Sequence, residues 1–176
     1  MALLHLNINS LFNKIAEIDE ILNLKLYDIV TLNETKLDES VPQSFYKNVF
    51  YNIIRRDRGT GGGGVLVFIR KEYKILNSFN SLDFEMIHFN LLCKNGNTCN
   101  FICAYKSPSD SDLEFLDYLE QYTFGLDLDI PLIITGDLNM DLLGEKGDKL
   151  MDFMVNNQLK NYITDFIRIQ KRLKNS

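Results

Sequence analysis

The sequence lacks a long apolar run, a secretion signal and an excess of basic charge. The longest clear apolar run near its middle, residues 65–69, is far shorter than the roughly 18 to 20 residues that a membrane-spanning helix needs. The N-terminus has no basic segment followed by an apolar one. The formal net charge is −5, whereas nucleic-acid-binding proteins usually carry a basic surface. We therefore expect a soluble intracellular protein with no membrane segment. A nuclear location is one of the alternatives.

Cysteine and histidine are also scarce. The three cysteines are an odd number without metal-ligand spacing, which argues against a disulfide framework and against a zinc site. The only histidines are His5 and His88, so any histidine-based acid–base mechanism must use one of them. Both are predicted inside strands, where a hydrogen-bonded structural role is the simpler interpretation. Neither a Walker A lysine motif nor the kinase tripeptides occur.

What is present is enough apolar sequence for one core. The chain has 176 residues, of which 45% are hydrophobic and 24% charged, and we expect a single domain over residues 1–176. Basic residues cluster at 55–71 and 160–174, while acidic residues concentrate between 127 and 152. Such a distribution suits a cation site beside a polyanion, although solvated surface charge also explains each cluster taken alone.

The hydrophobic pattern predicts strands and helices in succession. Residues 2–9 alternate as a strand does, and Ser10 then has the chemistry of a helix N-cap. Residues 28–33 form a second buried strand, so the chain should open with a βαβ unit. Residues 46–56 and 65–70 are predicted as an antiparallel pair joined by a glycine-rich loop. The order of the elements predicts an α/β fold with α+β layers.

A hairpin is predicted in the middle of the chain. Its strands cover residues 84–93 and 98–105, and Asn95-Gly96 favours a two-residue type I′ turn. That turn would pair Phe89 with Ile102. Helices are then predicted at residues 110–121, ending near Gly125, and at 146–156, with a buried strand from residue 131 between them.

Two carboxylates follow predicted strands directly. Asp137 lies in the tetrad Gly136-Asp137-Leu138-Asn139, and Glu34 follows the strand at residues 28–33. Open α/β sheets place their sites at such strand ends, and Mg²⁺ takes oxygen ligands of this kind. Two alternatives remain open, because the tetrad also resembles an ordinary turn and Glu34 alone also fits an exposed loop.

The glycine-rich segment at residues 59–64 contains the pattern GxGxxG. A dinucleotide site requires a helix directly after this pattern, and here a strand is predicted instead. A flexible hairpin loop is therefore one interpretation. Close approach of its backbone to a ligand is the other.

Five segments, taken in order, resemble the motif series of the endonuclease/exonuclease/phosphatase superfamily. They are Leu6-Asn7-Ile8-Asn9-Ser10, Leu32-Asn33-Glu34-Thr35-Lys36-Leu37, residues 58–70, Ala104-Tyr105-Lys106-Ser107-Pro108-Ser109 and Thr135-Gly136-Asp137-Leu138-Asn139. The set is most similar to the apurinic-type endonuclease domain of non-LTR, LINE-like retrotransposons. The resemblance implies a four-layer sandwich of two facing mixed sheets flanked by helices, with phosphodiester cleavage at one end.

The resemblance also implies roles for individual residues. Glu34 would bind Mg²⁺ or Mn²⁺, with Asn7 helping to hold the metal, and Tyr105 would contact the scissile phosphate. Asp137 and Asn139 would orient the attacking water and the phosphate. These roles agree with the physics of metal-assisted hydrolysis, in which a cation neutralises charge on the phosphate while a carboxylate positions water.

The implied partner is DNA, bound through its phosphate backbone. Arg58 and Arg70 are the expected substrate-binding cations, and the basic residues at 168–174 would add to them. Further partners would be a C-terminal remainder or the reverse transcriptase region of a longer polyprotein.

The sequence departs from the family pattern after Asn139. The family continues with strands that carry an aspartate and a terminal Ser-Asp-His, and neither occurs here. We expect an incomplete second sheet and an impaired, truncated nuclease domain. A noncatalytic nucleic-acid or protein binding remnant is the alternative from another class, and a phosphorylated lipid or sugar is the alternative substrate.

Overall fold

The computed structural model describes residues 1–59, 62–127, 129–140 and 145–162. Its elements are β1 (Leu3–Asn7), α1 (Ile15–Leu24), β2 (Ile29–Asn33), β3 (Tyr51–Arg56), β4 (Val65–Arg70), β5 (Lys74–Asn80), β6 (Glu85–Leu92), β7 (Thr98–Tyr105), α2 (Asp112–Phe124), β8 (Leu132–Asp137) and α3 (Glu145–Asn156), with short 3-10 turns at Leu11–Asn13 and Gln43–Phe45. Within these residues no helix has the length and apolar character to cross a membrane.

The strands form two mixed sheets of four strands each. The first has the order β1-β2-β4-β3 and the second β5-β6-β7-β8. β1 and β2 are parallel, as the predicted βαβ unit requires, and so are β7 and β8, while the other neighbours are antiparallel. The expected mixed α/β sandwich flanked by helices is therefore confirmed.

Three apolar clusters separate the four layers. One lies between α1 and the first sheet and includes Leu22 and Phe68. A second lies between the sheets, where Phe89 and Phe101 stack with ring centroids 5.2 Å apart. The third packs the second sheet against α2 and α3. β4 lies between two of these clusters and is buried on both faces, which is why its sequence is a continuous apolar run.

The predicted N-cap at Ser10 is wrong. α1 begins only at Ile15, and Ser10 has φ 108° with no side-chain cap. The reason is backbone pairing, because Ser10 N–H donates to the Glu34 carbonyl at 2.7 Å and Leu11 N–H donates to the Thr35 carbonyl at 2.9 Å. Ser10 and Leu11 thus pair with the loop that follows β2, and a 3-10 turn at Leu11–Asn13 precedes α1.

The predicted hairpin register is wrong by one residue. Phe89 pairs with Phe101 rather than Ile102, because the loop has three residues and not two. Gly96, at φ 84°, donates to the Cys93 carbonyl at 2.9 Å, as in a type I turn completed by a left-handed residue. This register turns Tyr105 toward the space between the sheets, among the residues of the inter-sheet core.

Other boundaries differ less. α2 begins two residues later than predicted, with the Ser111 hydroxyl accepting the Glu114 N–H at 3.3 Å, and Gly125 is its C-cap as expected. Leu113, the first leucine of α2, is 52% exposed, whereas Leu116 and Leu119 are buried. β5 was not predicted, because its sequence KILNSFN is mostly exposed and does not alternate cleanly. The helix predicted at residues 146–156 is α3.

Candidate active site

The C-terminal ends of parallel strands from both sheets meet at one end of the sandwich. In the first sheet Asn7 is level with Asn33, and in the second Tyr105 is level with Asp137. The Asn7 amide nitrogen joins the two sheets, since it donates to Glu34 Oε1 at 2.8 Å and to Asp137 Oδ2 at 2.7 Å. Two carboxylates that are 103 positions apart in the sequence thus share one donor.

Asn33 makes a second connection between the sheets. It is fully buried, and its side-chain oxygen accepts the backbone N–H of Asp137 at 2.7 Å. A buried amide without a partner is costly, so this bond both stabilises the amide and fixes the end of β8. This role of Asn33 does not follow from the motifs of the sequence. A polar residue that ends a buried apolar strand was the available signal.

The Gly136-Asp137 pair ends a strand and does not form an ordinary turn. Gly136 has φ 144°, and a β-carbon there would overlap the Ala104 carbonyl of the neighbouring strand β7. Asn139, at φ 50°, folds back, so that its N–H donates to Asp137 Oδ1 at 3.1 Å and its amide donates to the Lys106 carbonyl at 2.8 Å. Asp137 and Asn139 are thereby held as one unit.

Tyr105 approaches Glu34 from the second sheet. Its hydroxyl donates to Glu34 Oε1 at 3.2 Å. Burial raises the pKa of Tyr105 to about 12, and the negative charges of Glu34, Glu85 and Asp137 act in the same direction. The phenol therefore stays protonated at neutral pH and can serve as a hydrogen-bond donor.

His5 lies behind Asn7 on the same face of β1. Its Nδ1 is 3.0 Å from the Thr31 hydroxyl, as the structural interpretation of this histidine requires. Burial lowers the pKa of His5, and the nearby charge of Asp137 opposes that shift. His88 lies on the far face of the second sheet, 2.8 Å from the Tyr122 hydroxyl and away from this cluster.

The last glycines of the loop before β4 pack against the segment that carries Glu34. The Gly63 carbonyl accepts the Lys36 N–H at 2.9 Å, and the Gly64 carbonyl accepts the Thr35 N–H at 3.3 Å. Gly63 and Gly64 thus pack closely against protein backbone, and the approach of this loop to a ligand stays a prediction. Thr60 and Gly61 lie outside the described residues.

The two predicted substrate arginines lie at opposite ends of the sandwich. Arg58 precedes the glycine segment, is 41% exposed at its side chain, and lies 3.4 Å from Glu85. Arg70 ends β4 at the other edge, where it bonds the Lys25 carbonyl at 2.9 Å and Glu72 at 2.8 Å. The structure does not bring Arg70 to the cluster, because β4 runs antiparallel to β2 and carries its last residue away from Asn33. The basic residues at 168–174 lie outside the described residues.

Lys106 is a further buried residue whose role does not follow from the motifs of the sequence. It is 1% exposed and forms an ion pair with Asp112 at 2.6 Å, which ties the start of α2 to the end of β7. The Lys106 carbonyl accepts the Asn139 amide, as described above. This buried pair therefore fixes the loop on which Asn139 rests.

The donor set fits a hard divalent cation with few protein ligands. Glu34 and Asp137 present carboxylate oxygens around one shared amide, and Mg²⁺ commonly binds through one or two carboxylates and keeps several waters. Among the described residues no group of three or more histidine, cysteine or acidic side chains is arranged for a metal. Asn7 faces the carboxylates with its nitrogen, while its oxygen accepts the Asn9 N–H at 3.2 Å, so direct coordination by Asn7 requires rotation of its amide.

The site residues from Asn7 to Asn139 lie within the part of the chain that matches a known protein family. The Endonuclease/Exonuclease/phosphatase family matches residues 4–150, and the chain belongs to this family. No curated protein sequence matches the chain.

Solved structures share the fold. The Xenopus laevis APE2 catalytic domain aligns with a TM-score of 0.68 and 16% identity, covering 87% of this chain and 67% of that one. An AP endonuclease from Archaeoglobus fulgidus aligns with 0.62 and 20%, covering 80% and 58%. D. rerio TDP2, solved with a single-strand DNA product, aligns with 0.62 and 18%, covering 89% and 64%. The chain therefore spans less than two thirds of the length of the last two proteins.

Proposed function

We propose that this chain is a divalent-metal-dependent phosphodiesterase module that acts on DNA and derives from a LINE-like retroelement. The observation that carries the proposal is the contact of Asn7 with both Glu34 and Asp137, together with that of Tyr105 with Glu34. Family membership and the D. rerio neighbour, solved with a DNA product, support the substrate class. The retroelement origin rests on the motif resemblance.

Glu34 is the residue best suited to hold Mg²⁺ or Mn²⁺. It is partly exposed and lies at φ 54°, a conformation that non-glycine residues adopt mainly where surrounding contacts enforce it. A bound cation would neutralise charge on a phosphate oxygen. Asn7 holds the carboxylates of Glu34 and Asp137 close together and limits their mutual repulsion.

Asp137 and Asn139 are suited to orient water and phosphate. One oxygen of Asp137 accepts the Asn139 N–H and the other accepts the Asn7 amide, which leaves each oxygen with further lone-pair capacity toward a water molecule. Tyr105 can donate to a phosphate oxygen, because it is protonated. Of the two predicted substrate arginines, Arg58 is the one that lies at the same end of the sandwich as Glu34 and Asp137. Arg70 is not part of the proposed site.

We further propose that the 176-residue chain alone cleaves slowly. No Ser-Asp-His sequence occurs in it, so the residues above supply the metal and phosphate part of a site without a dedicated histidine. General acid–base catalysis typically contributes about 10² to 10⁴ in rate. His5 is hydrogen-bonded to Thr31 and is not placed as a free base.

The test combines metal binding with cleavage. Mn²⁺ and Mg²⁺ should raise the melting temperature of the wild type by mass action, and Glu34→Gln and Asp137→Asn should each remove most of that rise. Glu72→Gln, an acidic residue at the opposite end, is the matched control and should keep it. Nicking of supercoiled plasmid should be slow and should disappear in both site variants. An equal thermal shift in wild type and Glu34→Gln would contradict the proposed metal site.

One observation favours the noncatalytic alternative. β8 is the last strand of its sheet, all six of its residues are partly exposed, and none of the described residues pairs with its outer edge. Edges of this kind accept an added strand from a partner. DNA or protein binding that is insensitive to metal and to Glu34→Gln would support this alternative over a nuclease.

A further inference from the structure

Glu85 is a buried carboxylate for which the proposed function has no role. It begins β6, is 8% exposed, and stands directly opposite Tyr105 in the sheet register. Burying a carboxylate is costly unless it is paired and hydrogen-bonded. Glu85 has two partners, the Gly64 backbone N–H and the Arg58 guanidinium at 3.4 Å.

The glycine segment is shaped around this carboxylate. A β-carbon at Gly63, which has φ +65°, would overlap the Glu85 carboxylate. A β-carbon at Gly64, which has φ +93°, would overlap the Thr35 hydroxyl. The two glycines thus lie between Glu85 on one side and Thr35 on the other, with no space for a side chain.

The contacts continue from the glycines to Glu34. Gly63 and Gly64 accept the N–H groups of Lys36 and Thr35, the two residues that follow Glu34. Glu34 itself has φ 54°, so its position depends on how firmly this neighbouring segment is held. Glu85 is therefore connected to Glu34 through one layer of backbone hydrogen bonds.

We propose that Glu85 is a positioning residue, which anchors Gly63 and Gly64 against the Glu34 segment and so sets the metal affinity of Glu34. This inference rests on the proposed function for its metal. Mutation of residues that support a metal ligand without touching the metal typically lowers metal affinity about 10- to 100-fold. The Gly64 hydrogen bond needs an acceptor but no charge, so glutamine should retain it and alanine should lose it.

The experiment compares Glu85→Ala, Glu85→Gln and the control Glu72→Gln, whose native carboxylate pairs with Arg70 and Lys94 at the far end. The metal concentration at half-maximal Mn²⁺ binding is measured by titration at a temperature at which all variants remain folded. We expect it to rise about tenfold in Glu85→Ala and to return within about twofold of wild type in Glu85→Gln. A merely structural role predicts lower stability without this selective loss and rescue.

Amide hydrogen exchange provides a readout that does not depend on metal or activity. In Glu85→Ala the amides of Thr35 and Lys36 should exchange faster than in the wild type, whereas the amide of Val67 in the middle of β4 should keep its wild-type rate. Glu85→Gln should restore the protection of Thr35 and Lys36. Uniformly faster exchange, or unchanged exchange at Thr35 and Lys36, would overturn the inference. If the wild type binds no Mn²⁺, the proposed function fails, and the exchange pattern still decides whether Glu85 positions this segment.

Discussion

Replacing Asn7 with alanine removes the amide that holds Glu34 and Asp137 together. Its nitrogen lies 2.8 Å from one carboxylate oxygen and 2.7 Å from the other, so these two oxygens are at most 5.5 Å apart. At that separation two unit charges repel by about 0.8 kcal/mol in water and about 3 kcal/mol at an effective dielectric constant of 20. The site is partly exposed, and we expect Asn7→Ala to lower the free energy of unfolding by about 1 to 3 kcal/mol at pH 7.

The assay is urea unfolding at low and high salt. Because the lost interaction is electrostatic, the destabilisation should shrink as salt rises. Asn77→Ala, a change at an exposed position of β5, is the control and should have little effect at either salt concentration. A destabilisation of Asn7→Ala that equals the control, or one that salt does not reduce, would refute the reasoning.

The same variant tests whether Asn7 binds the metal. Alanine leaves both carboxylates in place, so Mn²⁺ should still raise the melting temperature if the Asn7 nitrogen only bridges them. Loss of that rise would show that the Asn7 oxygen is needed as a ligand, as the motif resemblance implies. Either result assigns the role of Asn7.

Two other predictions concern stability. Gly136→Ala should lower the free energy of unfolding by more than about 2 kcal/mol in urea, because φ is +144° and a β-carbon would overlap the Ala104 carbonyl, whereas Gly125→Ala at φ −80° should be nearly neutral. Burial lowers the pKa of both His5 and His88, so the unfolded chain binds protons more readily, and stability should fall as the pH drops below about 6.5. His88→Gln should flatten that fall, and an unchanged pH profile in this variant would contradict the stated cause.

Local chemistry in the sequence determined most of the strands and helices. β2 and β4 are buried, largely apolar runs too short for a helix, and Gly125 is the C-cap of α2 as predicted, although at φ −80° its conformation does not require glycine. The hairpin strands were also found, but their register was not. Register depends on whether Gly96 closes a two-residue or a three-residue loop, and the dipeptide Asn95-Gly96 is compatible with both.

Several site residues could be named from their positions after strands, yet their contacts could not. Strand order and direction place Arg70, at the end of β4, far from Glu34 and Asp137. The same topology places Arg58 at the end of the sandwich where these carboxylates lie. A one-residue change of register likewise decides which face of β7 carries Tyr105. Such choices depend on pairing between segments that are distant in the sequence.

The sequence by itself determined the family, the buried strands and the positions of Glu34 and Asp137 at strand ends, because these follow from short-range pattern and motif order. Only the tertiary structure decided that the Asn7 nitrogen faces both carboxylates, that Asn33 bridges the sheets and that Glu85 supports the glycine segment. The physical reason is that each of these side chains must satisfy a hydrogen bond or a charge when two sheets close around it. Its partner is set by packing in three dimensions and not by its neighbours in the chain.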